Sequence, residues 1–549
     1  MRRRLRNALW PLPIYATLAL AFWGPWVLGA PRSTIVADNE VDPSAYLWLF
    51  SWWPHAIANG LDPFFTDRIF VPDGFNLAWT VSMPGPSLVL SPITLALGAT
   101  VTWNLLSFAA PVLSAWTAFL LCRGVGAGMI PALLGGYVFG FSPYMLSQLR
   151  GAPQLALVAL LPLLVLLAVR HVQGRLSDRA FVVTMSVTLA AQMLVSTEVL
   201  ATAVVFGGSA LLAAWLLLAE RRAQLWRTSV ALLASLAGMA VLTSPLLVSV
   251  FFRERTLPEQ ALAAYPADLL SFVVPGVLVA ASGERAGLTV PDFATGAAYF
   301  GLPLLVLVAV FAWMHRGHGA ARLLVAAFAI AAAAALGKSL VVGGDDTGIP
   351  LPWAPFAELP LLRFAIPLRF SAFAFLAAAV VVALWLTWRP TAGRWALALL
   401  VVASIAPAVG NTQWHTALAD PGFFTGDDPA PQLAQDDRVL VIPAVGPSMR
   451  WHASADFGFA MAAGYLGAIP KSYTRYPMWD RLASAFDPEA TRVSPASRAD
   501  LRRFVSDKGV TAVVIEESFA AEWRPLIDTL GVRPVRTGGV LLYRLAAAP

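Results

Sequence analysis

"ADNEVDPSAYLWLFSWWPHAIANGLDPFF", residues 37–65, is the stretch on which the reading of this chain turns. Asp38, Glu40, Asp42 and Asp62 stand here among tryptophans, directly after the first apolar segment at 12–30. The apolar spacing from Pro43 onward predicts a helix, with Pro43 in its first turn and Asp42 as N-cap. Capping alone would make Asp42 a structural residue. The functional alternative is a carboxylate at a membrane rim, partly desolvated by Trp48, Trp52 and Trp53. Such an acid binds a proton more readily and serves as a general base toward a sugar hydroxyl.

The surrounding composition makes the rim a membrane rim. Of 549 residues 58% are hydrophobic and only 13% charged, whereas soluble domains carry about 25% charged residues. Apolar segments of 17 to 25 residues recur from 12 to 410, each long enough to cross a hydrocarbon core of roughly 30 Å. The basic opening "MRRRLRNALW" before the first of them is expected to orient a retained span rather than to mark a cleaved signal.

Basic short loops at 2–6, Arg123, 171–179, 220–227, 314–322 and 388–394 mark a cytoplasmic side. Spans near 12–30, 104–122, 129–146, 153–170, 180–196, 198–219, 228–251, 298–314, 320–337, 370–387 and 395–410 put all of them on one face, which gives eleven crossings with the N-terminus inside. The count requires "PSLVLSPITLALGA", 86–99, to lie in or dip into the outer interface, as its shortness and Pro92 allow. The net charge of +6 then orients the chain in a bilayer, and nucleic acid is not an expected partner. Cys122 is the only cysteine, which excludes an intrachain disulfide. Arginine over lysine, with abundant alanine, suggests a GC-rich bacterial source.

The expected fold class is therefore an all-α polytopic membrane domain, 1–410, with a long external loop at 31–103, followed by an extracytoplasmic α/β domain at 411–549. In that tail "RVLVIPA" and "TAVVIEE" read as buried strands and "GGVLLYRL" as a final edge strand. "SRADLRRFVSDKG" and "FAAEWRPLIDTLG" read as helices capped by Gly509 and Gly531. No glycine-rich phosphate loop opens a tail helix, so nucleotide binding is not expected.

Polar residues of unusual kind fall on the expected outer face. Glu198 interrupts a long apolar run and is either a solvated turn residue or a functional acid. "FSPYMLSQLRGAPQL" offers Gln148, Arg150 and Gln154, with Arg150 either binding phosphate or snorkelling to headgroups. Arg253, Glu254 and Arg255 mark a span exit, and Asp268 opens another short helix. Lys338, Arg363 and Arg369 gather positive charge in a proline-rich segment. Trp48, Trp52, Trp53, Trp79 and Trp103 suit an interfacial belt, and some of them suit stacking on sugar rings. The six histidines form no zinc pattern. Asp38, Glu40 and Asp42 are at most a divalent-cation set, and no other cofactor is implied.

The order of parts resembles the C-type superfamily of integral membrane glycosyltransferases. The likeness rests on one span, a long first external loop with an acid just beyond it ("NEVDPSAYLWLFSWW"), many further spans and an exported tail. "FGFSPYMLSQL", "LPWAPFAELPLLRFAIPLRFSAF" and "VLVIPAVGPSM" add to it. The resemblance implies transfer of a sugar from a polyprenyl-phosphate carrier to a glycan, lipid or protein acceptor outside a bacterial plasma membrane. It gives the base role to Asp42, with Asp38 and Glu40 as competitors, and implies inversion as the lipid phosphate leaves against Arg150, Arg363 or Arg369. Glu198 would position a substrate. A lipid-linked saccharide transporter or flippase, or a non-catalytic envelope-assembly subunit, are the alternatives; the charge at one face and the lack of visible internal repeats favour the enzyme.

Overall fold

The computed structural model describes residues 7–80, 82–253, 256–258, 265–285, 296–359, 362–409, 414–426, 433–484 and 487–545. Two compact units result: Met1–Gly29, Asn104–Thr243 and Ala261–His415 form one, and Ala30–Trp103, Ser244–Gln260 and Thr416–Pro549 the other. The basic residues at 2–6, together with Glu254 and Arg255, lie outside the described residues.

The first unit is built of apolar helices. Its most enclosed helix, Ser371–Trp388, is apolar on all sides and buried along most of its length, as a helix must be when neighbours surround it. Met129–Gly140 packs closely against it, because Gly135 lets the two backbones meet: a Cβ there would stand 2.6 Å from the Ala379 carbonyl oxygen. Small residues at such crossings substitute dispersion contact for the hydrophobic drive that lipid removes. A bend of 43° separates Met129–Gly140 from Pro143–Leu149, where the Ser142 side chain caps the second piece at Met145.

Each of the eleven segments expected to cross overlies helical residues. By length and apolarity, however, six helices among the described residues are able to span a membrane, or seven if the bent pair is one span. Leu302–Met314 and Ala392–Ser404 have 13 residues each, about 20 Å of helix, short of a hydrocarbon core of roughly 30 Å. The chain is a multi-pass membrane protein. The segment expected to lie at the interface is two short helices, Pro84–Val89 and Ser91–Leu97, that meet at Leu90 and expose Val89 and Leu95.

In the second unit a five-stranded sheet runs in the order Val535–Thr537, Val540–Arg544, Ala512–Glu516, Arg438–Ile442, Ala460–Met461. Ala512–Glu516 is parallel to Arg438–Ile442, and the chain between them passes through the helix Pro495–Lys508. Gly509 and Gly531 adopt left-handed conformations at the ends of their helices. Val540–Arg544 is not the edge strand that its position in the sequence suggested: Val535–Thr537 folds back on it through a Gly538–Gly539 turn and takes the edge.

Residues of the first loop share this unit. Thr34–Ile35 pairs with Thr416–Ala417, and Thr256–Pro258 pairs with Ala468–Pro470. The Val71 and Met461 amides donate to the Met461 and Arg68 carbonyls. Lys508, almost fully buried, donates to Asp73 at 2.5 Å. Burial alone would raise the Asp73 carboxyl, but hydrogen bonds from Lys508 and Ser472 bring it below its ordinary range.

Candidate functional site

The helix that carries Asp42 runs from Val41 to Ala58. Asp42 is not its N-cap. Glu40 occupies that position, and the Asn39 side chain accepts from the Val41 amide at 2.9 Å, closing the turn one residue earlier. Asp42 therefore sits inside the first helical turn and is exposed, where the positive end of the helix favours a carboxylate. The Tyr465 hydroxyl donates to Asp42 Oδ1 at 2.7 Å.

Glu40 has a different partner. Arg450 donates to Glu40 Oε2 at 2.6 Å and also pairs with Asp420. Burial pushes the Arg450 guanidinium down from its ordinary value while Glu40 opposes the shift, and it stays a cation. Arg450 lies on the helix Pro447–Ser454, which packs on Val41–Ala58. The approach is close because Gly446, at φ +78°, rests against Val41: a Cβ there would come within 3.3 Å of the Val41 Cα. Among the described residues no group of three or more His, Cys, Asp or Glu converges as a metal site. Glu40 turns to Arg450 and Asp42 to Tyr465, so the acids of this segment do not form the divalent-cation set that their spacing allowed.

The tryptophans are interior. Trp48, Trp52, Trp53 and Trp103 are at most 2% exposed. Trp48 stacks on Trp52 and donates to His452 Nδ1 at 3.0 Å; Trp52 donates to the Pro63 carbonyl, and Trp53 meets Phe64 edge-on. Trp103 donates to the Val36 carbonyl and Trp79, half-buried, to the Val250 carbonyl. The four buried indoles, Trp48, Trp52, Trp53 and Trp103, have neither the wet edge of an interfacial belt nor an open face for a sugar. Nor do they desolvate Asp42, which is exposed. His452 is fully enclosed, its Nε2 hydrogen donating to the Phe459 carbonyl at 2.9 Å, and burial pushes its imidazole down to about 4.

In the membrane unit, Ser196 caps the helix Thr197–Leu217 and leaves Glu198 in its first turn. Arg369 Nη1 donates to both Glu198 oxygens, at 2.8 and 2.7 Å. The pair borders a small cleft lined also by Tyr144, Leu155, Thr202 and Phe370, and the Tyr144 hydroxyl donates to the Leu155 carbonyl at 2.8 Å. Glu198 and Arg369, offered by the sequence as separate substrate contacts, are thus partners.

The other expected residues each have their own surroundings. Gln148 is buried, with its amide 3.5 Å from Ser147 Oγ, and Gln154 is buried with its Oε1 unpaired. Arg150 ends the helix Pro143–Leu149 and is half-buried. Arg363 is exposed in the turn Leu362–Phe364. Asp268 is 2% exposed and accepts from the Leu270 and Gly344 amides at 2.8 and 2.7 Å, so it closes a loop and offers no contact to a substrate. Arg253 pairs with Asp62. Sequence reasoning missed Arg450, Asp420, Tyr465 and Tyr144; "VGPSM" placed attention just before Arg450, and nothing local singled out Tyr465.

Solved structures share this fold. The fold is similar to that of arabinofuranosyltransferase AftD from Mycobacteria, at 15% identity and a TM-score of 0.60, over 100% of this chain and 40% of that one. It is also similar to the Archaeoglobus fulgidus oligosaccharyltransferase in complex with zinc and sulfate, at 14% identity and a TM-score of 0.55, over 97% and 73% of the two chains. The same archaeal enzyme, AglB, bound to an inhibitory peptide and a dolichol-phosphate, matches at 13% identity and a TM-score of 0.50, over 98% and 74%. The fold is that of the C-type membrane glycosyltransferases, and this chain spans 40% of the length of AftD. The chain belongs to the family described as Domain of unknown function (DUF6311), which matches residues 14–409. No curated protein matches the sequence.

Proposed function

We propose that this chain is a membrane glycosyltransferase that moves a pentose or hexose from a polyprenyl-phosphate carrier to an envelope glycan, lipid or protein acceptor at the outer face of a bacterial plasma membrane. In this reading the N-terminus is cytoplasmic and the loop 31–103 and the α/β tail lie outside. One observation carries the proposal: an exposed carboxylate, Asp42, fixed in the first turn of the helix that follows the first apolar helix, Pro11–Val27.

Asp42 takes the proton of an acceptor hydroxyl as that oxygen attacks the anomeric carbon. The bond from that carbon to the phosphate oxygen breaks, its electron pair leaves with the lipid phosphate, and the anomeric configuration inverts. The departing phosphate gains negative charge, which oriented cations stabilise most strongly where water is scarce. Arg369 is the first candidate for that role and Arg150 and Arg363 the next, with Glu198 holding the Arg369 guanidinium in place. The dolichol-phosphate in the AglB structure supports a lipid-phosphate carrier for this fold.

Purified protein in nanodiscs, offered a panel of radiolabelled polyprenyl-phosphate pentoses and hexoses with envelope lipid and glycan acceptors, tests the proposal. At least one donor should be split into free polyprenyl phosphate and a glycosylated product. Arg369→Ala should raise the donor KM by about tenfold or more, as loss of a charge-assisted contact does. Passage of the intact lipid-linked sugar across the bilayer, with its anomeric bond unbroken, would make the chain a transporter.

A further inference from the structure

Asp42 is an exposed side chain, and an exposed aspartate ordinarily samples several rotamers. A base that must meet one hydroxyl in one direction gains from losing that freedom, since misplacement by about 1 Å costs on the order of 100-fold in rate. The tail supplies a restraint. Tyr465, 423 residues further along the chain, donates its hydroxyl to Asp42 Oδ1 at 2.7 Å, a length typical of an O–H bond to an ionised acceptor.

The phenol stands on a segment fastened on both sides. The Tyr465 amide reaches Met449 Sδ at 3.3 Å, and the Thr80 hydroxyl donates to the Leu466 carbonyl. On one side Tyr473 donates to the Ala462 carbonyl at 2.6 Å; on the other, Ala468–Pro470 pairs with Thr256–Pro258. Met449 lies on the helix that carries Arg450 and packs on Val41–Ala58, so carboxylate and phenol are fixed to the same pair of helices. We propose that Tyr465 is a positioning residue for Asp42, through which the tail completes the catalytic centre.

The inference rests on Asp42 being the base. Tyr465 orients the carboxylate and favours its ionised form, because a donor to a carboxylate disfavours protonation. Charged groups close to Asp42 in the chain are Asp38 and Glu40, and from the tail Arg450, itself paired with Asp420, reaches Glu40. Glu40 and Asp420 both pair with Arg450, and the phenol of Tyr465 donates to Asp42.

Tyr465→Phe removes the hydroxyl and keeps the ring. With the donor found in the nanodisc assay, kcat should fall about 10- to 100-fold while the donor KM stays within about twofold. The acidic limb of the rate profile should move to higher pH, because a carboxylate that loses a donor binds its proton more readily. A probe that needs no substrate runs beside it: dicyclohexylcarbodiimide attacks protonated carboxyls, and peptide mass spectrometry of Asp42 across pH should show its labelling midpoint displaced upward. Tyr465→Phe with unchanged kcat, rate profile and labelling, where Asp42→Asn is inactive, would overturn the positioning role and leave the base standing. Full activity of Asp42→Asn would remove the base and this inference with it. An Asp42→Asn enzyme that is inactive beside a Tyr465→Phe enzyme that is slow and shifted supports both. Should Tyr465→Phe purify poorly, the labelling profile of wild-type protein against Tyr465→Leu, read in intact membranes, decides by the same shift.

Discussion

Replacing Arg450 by Met should destabilise the second unit and, through it, Asp42. The Arg450 side chain is 6% exposed, between Glu40 at 34% and Asp420 at 19%. Removing one member of a fully buried ion pair costs roughly 3–5 kcal/mol, mostly because a charge is stranded. Here both carboxylates retain some water, and discounting for that leaves about 2 kcal/mol. Met keeps the apolar stem, so packing changes little. For a unit of this size about 2 kcal/mol lowers the thermal midpoint by about 4–8 °C. The assay is loss of the monodisperse species on heating in detergent, at one scan rate because such unfolding is irreversible. The triple variant Glu40→Gln, Asp420→Asn, Arg450→Met strands no charge and should regain at least about half of the loss. A single variant within about 1 °C of wild type, or a triple variant no better than the single, would refute the reasoning.

His452 predicts a pH dependence. Its imidazole, pushed down to about 4 by burial, is neutral in the folded protein, whereas the unfolded ring titrates near 6.5. Its contribution is complete above about 6.5 and is lost as pH falls toward 4, about 3 kcal/mol in all. The thermal midpoint of wild type should drop between pH 6.5 and 4.5, and His452→Gln should flatten that slope; equal slopes would count against it. Gly446→Ala should cost about 1–2 kcal/mol through its left-handed backbone and its approach to Val41. Gly467→Ala, at φ +72° with open space around it, is the control that carries the backbone cost alone, and transfer should fall more in Gly446→Ala. Identical behaviour of the two would remove the argument from close packing on Val41.

What the sequence made legible, and what it hid, follows from the range of the interactions. Asp42 was legible because the start of a helix and an acid beside a span are local signals. Its cap was misplaced by two residues because Asn39 closes the turn ahead of it. The helices were legible, while the spanning lengths of Leu302–Met314 and Ala392–Ser404 were not, because flanking apolar residues extend the pattern beyond the helix. Trp48, Trp52 and Trp53 looked interfacial because composition cannot tell a wet edge from one paired with His452 or the Pro63 carbonyl. Glu198 stood out as an acid in an apolar run, but Arg369, 171 residues away, shared no local pattern with it. Tyr465 gave no signal, since its role depends on a contact across 423 residues.

The most direct test of the central claim is sugar transfer by Asp42→Asn protein that still binds a photoreactive polyprenyl phosphate. Loss of general-base catalysis predicts a rate lower by about 10²–10⁴-fold with photolabelling unchanged. Transfer at the wild-type rate by the same protein would show that the proton goes elsewhere.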